Sequence, residues 1–475
     1  MKNLNWISAS VFPLVIFAGA ALQPLLATEG NGPLNVLLIM VDDLRPELGC
    51  YGVGEVSSPH IDRLANEGML FNNAYAQYPV CNPSRASLLT GWRPNEVGLL
   101  TNNVPLRQKW PDVVSLPQLF RENGYYTAGL GKIFHLGLNA QQEVTFFEDP
   151  KSFDFFYDAR KDATKLGKTG EGRNLTEGRL KWCQWMAANG DDEDQADGLL
   201  AKAAVEILKE KQHQPFFMGL GFHKPHDPFI APRKYFDLYP LEDVKLAAEP
   251  PDRSPRVRHA IPNEKAFASF TDKERKEFKR AYQACVSFTD AQVGKVFAAL
   301  DALDLWDKTI VILMGDHGYH LGEHNWWNKV TVYELGARAP MAIWVPGAKG
   351  MGHPTDAIVE FVDLYPTLLE LTGLQSPHGL SGISIAPILH DPDLPGKEAA
   401  FTQVNRGKVY GRSVRTHDWR YTEWGETGEL GIELYNKQLD KGEYYNLAQK
   451  PEYSDIRTRL RGLLEAGFQR RSPAP

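Results

Sequence analysis

Four cysteines in 475 residues are too few to staple a chain of this size. A disulfide framework is excluded as its organising principle, and each thiol has to be read singly. Cys285 falls on the apolar side of a predicted helix, Cys50 follows a glycine, and Cys183 lies between Trp182 and Trp185. All three read as packed thiols, with a Cys50–Cys183 or a Cys183–Cys285 bridge left open. Positive charge is not in excess either: 52 Lys and Arg face 59 Asp and Glu, a formal charge of −7. That balance excludes a general nucleic-acid or anionic-membrane binder, so any positive field serving an anion must be local. Internal repeats and low-complexity tracts are absent. The longest apolar stretch, Val11 to Leu26, follows Lys2 and is broken by Pro13 and Pro24. A spanning helix needs about 20 uninterrupted apolar residues, so residues 1–27 read as a secretory signal with small residues near Ala18–Ala20 and Ala27 for cleavage. A retained anchor is the alternative. No cysteine follows to carry a bacterial lipid, and no stable membrane insertion is expected.

What is present is the composition of an ordinary globular protein, 43% hydrophobic and 23% charged. The length allows one large core and a smaller second one. Pro, Gly and Asp dominate from about residue 376 to Lys397, which predicts a main domain over 28–390 and a C-terminal subdomain over 391–475. Asn35 to Val41 is a continuous apolar run ending in Asp42 and Asp43; Thr309 to Gly315 is another, ending in Asp316 and His317. Such runs suit strands buried on both faces of a sheet. Ligands of open α/β sheets gather beyond the carboxyl ends of the strands, so two such strands can bring distant acids to one point. A lone aspartate pair would more simply cap a turn.

Between these runs, Ser115–Asn123 reads as a helix stopped by Gly124, Tyr125–Leu130 as a strand, Ala196–Lys211 as a helix and Pro215–Phe222 as a strand. Apolar residues at steps of three and four from Phe278 to Leu300 predict a long amphipathic helix. Met341–Val345 and Val362–Leu371 add a strand and a helix. The alternation predicts an α/β fold, a large sheet covered by helices on both faces. Residues 140–195 and 240–275, polar and rich in charge, Gly or Pro, read as long loops shaping one rim of a site. Asn174-Leu175-Thr176 is a glycosylation sequon, meaningful only in a eukaryotic secretory route. Short β-rich pieces follow at Ser413–Thr416, Trp419–Trp424 and Glu433–Tyr435, then a helix over Ser454–Gly467.

The most informative stretch is Cys81-Asn82-Pro83-Ser84-Arg85-Ala86-Ser87-Leu88-Leu89-Thr90-Gly91. Pro83 fits a first helical turn and Gly91 a stop. Cys81 would stand at the helix N-terminus, where free N–H groups favour an anion. Arg85, one turn on, adds a cation on the same side. An ordinary buried cysteine would account for a lone Cys81. The stretch, however, resembles the signature of the type I sulfatases, Cys-x-Pro-Ser-Arg with a Leu-Thr-Gly ending. Val41-Asp42-Asp43-Leu44-Arg45-Pro46, Gly131-Lys132-Ile133-Phe134-His135, His223-Lys224-Pro225-His226 and Asp316-His317-Gly318 match in the same family's order, and resemble its iduronate-2-sulfatase branch most.

The resemblance implies an alkaline phosphatase-like main domain and a small C-terminal antiparallel sheet with one helix. It implies that a formylglycine-generating enzyme oxidises Cys81 to 3-oxoalanine (formylglycine), whose hydrated aldehyde is the nucleophile. Asp42, Asp43 and Asp316 are hard oxygen ligands suited to Ca²⁺ or Mg²⁺. The resemblance adds His317 and the modified Cys81 to that shell and favours calcium, although many sulfatases carry asparagine where this chain has His317. It also implies that Lys132 contacts a sulfate oxygen and the formylglycine hydroxyl, and that His135 removes a proton from the intermediate. His223 is implied as proton donor to the leaving oxygen, Lys329 as a sulfate grip and Arg85 as the orienter of the nucleophile; His226 reads equally as a turn residue.

The expected protein is an exported sulfatase, periplasmic or extracellular (lysosomal if the source is an animal), acting on a sulfated sugar such as a 2-O-sulfated uronic acid. A phosphodiesterase or phosphonate monoester hydrolase of the same superfamily is the alternative. A two-metal phosphatase would want more carboxylate and histidine ligands than this single cluster offers. A binding protein with Cys81 unmodified is the non-enzymatic reading. The sugar is expected to meet a rim of His223, Tyr319, Trp326, Trp327 and the Leu99–Arg107 loop, with His223, Lys329, Arg107 or Lys109 serving a uronate carboxylate.

Overall fold

Six consecutive residues, Val36 to Val41, have no exposed surface, and they set the centre of the fold. Their side chains alternate between two cores: Leu37, Ile39 and Val41 enter one, Val36, Leu38 and Met40 the other. Each such side chain, removed from water, contributes roughly 1.5–3 kcal/mol before entropy is counted, which is why an unbroken apolar run makes a central strand. The computed structural model describes residues 32–469, apart from Ala140, Gln142 and Glu264. The expected signal segment lies outside the described residues.

The main sheet has eight strands: β1 (Asn35–Val41), β2 (Met69–Tyr75), β3 (Tyr126–Gly131), β4 (Phe155–Tyr157), β5 (Phe216–Phe222), β6 (Thr309–Gly315), β7 (Met341–Trp344) and β8 (Thr355–Glu360). Their order across the sheet is β8-β2-β7-β6-β1-β5-β3-β4. All neighbours run parallel except β7, which is antiparallel to both β6 and β2. One face is covered by Ala196–Lys211 and the 31-residue helix Asp272–Ala302, through Leu200, Ala204, Phe278, Tyr282 and Val293. The other is covered by α1 (Cys81–Thr90), Leu116–Glu122 and Leu364–Thr372, through Ala86, Leu89, Leu119, Phe120 and Leu368. The fold is mixed α/β, layered as the sequence predicts.

A separate antiparallel meander, Ala400–Arg406, Val409–Arg415, Trp419–Trp424 and Gly431–Asn436, packs against the helix Ser454–Gly467 through Val414, Tyr421, Leu434, Leu460 and Leu464. Charge ties it to the short helix Glu334–Ala337 that precedes β7. Arg420 donates to Glu334 at 2.7 Å and to Glu443 at 2.6 Å.

The stretch 140–195 differs from expectation. Phe155–Tyr157 joins the edge of the main sheet, and Gly170–Asn174 and Gln184–Ala188 form a three-stranded sheet with Phe229–Pro232. Gly170–Asn174 is almost wholly exposed and has no apolar alternation to read; its ladder comes from a distant partner. Cys50, Cys183 and Cys285 are all free thiols, so neither bridge left open by the sequence is formed. No helix among the described residues is long and apolar enough to cross a membrane.

Candidate active site

Four neighbouring strands end side by side, and each delivers chemistry. Asp42 follows β1, Lys132 follows β3, His223 follows β5 and Asp316 follows β6. Backbone bonds carry the ladder one residue past the strands: Asp42 N–H to Phe222 O at 3.1 Å, Asp316 N–H to Val41 O at 3.2 Å, and Lys132 N–H to Gly221 O at 2.9 Å. The side chains are therefore set by the rigid sheet rather than by free loops. Gly131 makes the turn that aims Lys132: its φ is 67°, and a Cβ there would meet the Gly221 carbonyl at 2.3 Å.

Helix α1 brings Cys81 to the same point. All ten of its residues are buried, and it stops at Gly91, whose φ of 68° a side chain would strain. Cys81 Sγ accepts from Lys329 Nζ at 3.2 Å and lies 3.5 Å from His317 Nε2. One turn along, Arg85 is 1% exposed. It donates from Nε to Asp316 at 2.9 Å and also to the Lys132 carbonyl, while its Nη2 lies 3.5 Å from Asp42. Lys132 Nζ pairs with Asp42, Lys329 Nζ with Asp43 at 2.5 Å, and the Asp43 amide donates to Asp316 at 3.1 Å.

The electrostatics follow from this crowding. Burial opposes ionisation of Cys81, but Lys132, Lys329 and hydrogen bonds from His135 and His226 outweigh it and hold the thiol well below its ordinary value. Burial and Cys81 push Asp42 up, yet Lys132, His226 and Arg85 hold it far below the usual carboxylate range. Burial lifts Asp316 to about 6 against the pull of His317 and Arg85. Burial lowers His317, but Asp316 and Cys81 raise it to about 8. Burial and Lys132 draw His135 down. The result is a buried centre in which Lys132, Lys329 and Arg85 crowd around the Cys81 sulfur and the acids Asp42, Asp43 and Asp316.

The same centre fits a metal ion. Ligand atoms of Asp42, Asp43, Cys81 and His317 lie within 4.8 Å of one another. Asp42 Oδ1 and Asp43 Oδ2 are buried without a hydrogen-bond partner, which is costly unless a cation serves them. Asp316 stands beside this group, with Oδ1 3.6 Å from His317 Nε2, and its carboxylate serves Arg85 and the Asp43 amide.

Residues 34–374 match the family model "Sulfatase", and residues 322–469 match "N-sulphoglucosamine sulphohydrolase, C-terminal". The chain belongs to the sulfatase family. It is 33% identical over 479 residues to iduronate 2-sulfatase of Mus musculus, with 84% of this chain and 86% of that protein covered. Among solved structures, a protein in complex with its substrate D-glucosamine-2-N,6-O-disulfate matches with a TM-score of 0.73 at 22% identity, covering 91% of this chain and 97% of that one. The phosphonate monoester hydrolase of Agrobacterium radiobacter matches with a TM-score of 0.74 at 20% identity, covering 91% and 95%, a likeness of fold.

The site of this sulfatase opens into a cavity of about 490 Å³ lined by Asp42, Lys132, His135, His223 and His226 together with Phe146, Phe147 and Arg160. His223 Nδ1 lies 2.8 Å from Asp197, and its Nε2 is buried and without a partner. Of the rim residues predicted from sequence, His223 lines this cavity; the others do not. Tyr319 is wholly buried, stacked 5.6 Å from Tyr282, with its hydroxyl on the Trp327 carbonyl. Its expected contact with substrate is thereby corrected. Trp326 and Trp327 pack among Phe267, Phe270 and Phe278, and the Trp326 indole N–H holds the Lys329 carbonyl at 2.8 Å. Arg107 is buried against Asp149, and Lys109 donates to the Gly98 carbonyl.

Asp197, Phe147 and Arg160 went unread in the sequence. Asp197 is the second residue of its helix and looked like an ordinary acidic first turn. Phe147 and Arg160 sit in the polar stretch that carries no periodic signal.

Proposed function

We propose that this sulfatase is exported and hydrolyses the 2-O-sulfate ester of a uronic acid unit in a carbohydrate, through a formylglycine made from Cys81. The observation that carries this reading is the surrounding of Cys81 Sγ by Lys329, Lys132, His135 and His317. The sulfur marks where the formylglycine oxygen would stand. Formylglycine, once formed, supplies a hydrated aldehyde whose oxygen can attack sulfur. In the net reaction the S–O bond to the sugar breaks, the sugar oxygen gains a proton, and water supplies the oxygen that completes free sulfate.

The chain's own residues divide that work. Lys132 and Lys329, both buried and both held cationic by Asp42 and Asp43, neutralise sulfate oxygens. His223 delivers the proton to the sugar oxygen from Nε2. His135, kept neutral by burial and by Lys132, takes a proton on the Cys81 side. Arg85 fixes the Cys81 helix against Asp316 and Asp42. Asp42, Asp43, His317 and residue 81 would hold a hard divalent cation, Ca²⁺ or Mg²⁺, with Asp316 beside them; such an ion supplies positive charge to the sulfate. The uronate preference draws support from the likeness to iduronate 2-sulfatase.

The test is peptide mass spectrometry of protein made with a formylglycine-generating enzyme, together with sulfate release from an aryl sulfate and from sulfated oligosaccharides. Residue 81 should have lost sulfur and gained oxygen, and Cys81→Ala should be inactive but folded. Full activity from protein carrying only the thiol, or cleavage of a bis-aryl phosphate without sulfate release, would overturn the reading.

A further inference from the structure

One aromatic ring in the cavity lining touches His223, Lys132 and Arg160. Phe147 is 4% exposed and holds a φ of 67°, a left-handed conformation uncommon for a bulky residue. Its ring centre lies 5.3 Å from that of His223, 6.0 Å from Lys132 Nζ and 4.1 Å from the Arg160 guanidinium carbon. Arg160 therefore shares an aromatic partner with the two residues assigned to the sulfate and the leaving oxygen. It also lies 4.9 Å from the Phe146 ring.

Arg160 is held but not consumed. Its Nε and Nη2 donate to the two oxygens of Asp158 at 2.9 and 2.6 Å. Its Nη1 makes no bond among the described residues, and the side chain, 36% exposed, lines the cavity. Stacking on aromatic faces leaves a guanidinium edge in a partly desolvated setting, where it binds a planar anion best. The other cations of the lining are differently placed. Lys132 is engaged by Asp42, and Lys224 Nζ donates to the carbonyls of His226 and Pro228 at 2.8 and 2.6 Å. Lys168, exposed and also lining the cavity, makes no ion pair among the described residues. A chain with net charge −7 thus places in the lining two cations that sulfate handling does not use.

We propose that Arg160, assisted by Lys168, is the specificity-determining residue that receives a carboxylate of the substrate, the second anionic group of a uronic acid sulfate. The inference rests on the uronate reading above and assigns it to residues. A planar carboxylate matches the guanidinium edge, and the compact Lys168 ammonium adds charge without directional demand.

The test measures binding and turnover separately. In Cys81→Ala protein, calorimetry compares a uronic acid 2-sulfate with the matching neutral sugar 2-sulfate. The carboxylated ligand should bind ten- to a hundredfold more tightly, about the worth of one charge-assisted contact. Adding Arg160→Gln should shrink that gap below about threefold. Lys168→Gln, at an exposed position that does not threaten folding, should narrow it severalfold. No gap in the parent protein, or a gap untouched by either substitution, overturns the proposal. So does tighter binding of a neutral disulfated sugar than of the uronate, which would make this part of the lining a second sulfate site. Aryl sulfate turnover by protein with residue 81 intact reports on the sulfatase mechanism alone. Its absence with the binding gap present would sink that mechanism and leave the carboxylate assignment standing.

Discussion

Asp197 accepts three bonds from two consecutive residues: the backbone N–H of His223 at 3.0 Å, the His223 ring Nδ1 at 2.8 Å and the backbone N–H of Lys224 at 2.8 Å. It is 2% exposed and sits in the first turn of its helix, where the free N–H groups favour a carboxylate. The pairing fixes the His223 ring and its Nδ1, so that only Nε2 can exchange a proton with the cavity.

Asp197→Asn should therefore slow hydrolysis of a sugar sulfate by roughly ten- to a hundredfold in kcat. The loss on p-nitrophenyl sulfate should be much smaller, because nitrophenolate leaves without a proton. Parallel kinetics on the two substrates, with thermal melting to check folding, measure this. Equal losses on both would reduce Asp197 to a structural role.

Removal of Asp43 should cost metal binding and the stability that goes with it. Asp43 is the one acid shared by His317 at 3.4 Å, Lys329 at 2.5 Å and the group that fits a cation. Calcium added to chelator-treated protein should raise the melting point of the parent chain, by about 2.7 kcal/mol of stability at a hundredfold excess over Kd. The same addition should leave Asp43→Ala unmoved. A separate magnesium titration distinguishes the ions, and elemental analysis counts what is bound.

The C-terminal sheet should be sensitive to one buried arginine. Arg420 is 1% exposed and bridges Glu334, which opens the short helix before β7, to Glu443, which follows the meander, with Lys437 also on Glu443 at 3.0 Å. Arg420→Ala removes a cationic partner from each carboxylate, leaving Glu443 to Lys437 and Glu334 to Arg415, and should destabilise the protein by about 1.5–3 kcal/mol. Urea denaturation gives the value; a cost below 1 kcal/mol would mean that the bridge is dispensable.

A pH dependence should come from Asp290, outside the site. Burial pushes its carboxyl up to about 7, against hydrogen bonds from the His60 and Ile61 amides at 3.0 and 2.8 Å. In the unfolded chain it titrates near 3.9. Between these values the folded state keeps the proton and the unfolded state has lost it. Its contribution is thus fully present below about pH 4 and is lost as pH rises to about 7. Asp290→Asn cannot ionise and should gain about 1–3 kcal/mol on the parent protein across that window. Denaturation at a series of pH values measures it, and a difference that does not change with pH would show Asp290 ionised throughout.

By itself the sequence determined the elements whose signal is local. Val36–Val41 and Ile310–Met314 are apolar on every residue, which only a doubly covered strand can use, and an acid follows each strand. Cys81–Thr90 is bounded by its own turn chemistry, and Ala196–Lys211 by a helical period that needs no partner to be seen. Tertiary structure decided which side chains face the cavity. Tyr319, Trp326 and Trp327 carry the chemistry of a sugar platform, yet the nearby aromatic residues of distant segments bury them. Phe147, Arg160 and Asp197 gained their places from strand ends and a helix start brought together across the sheet. A residue's propensity is set by its neighbours in the chain, but its exposure is set by whatever packs against it, and those contacts come from other elements, as Phe147 and Asp197 meet His223 from other segments of the chain.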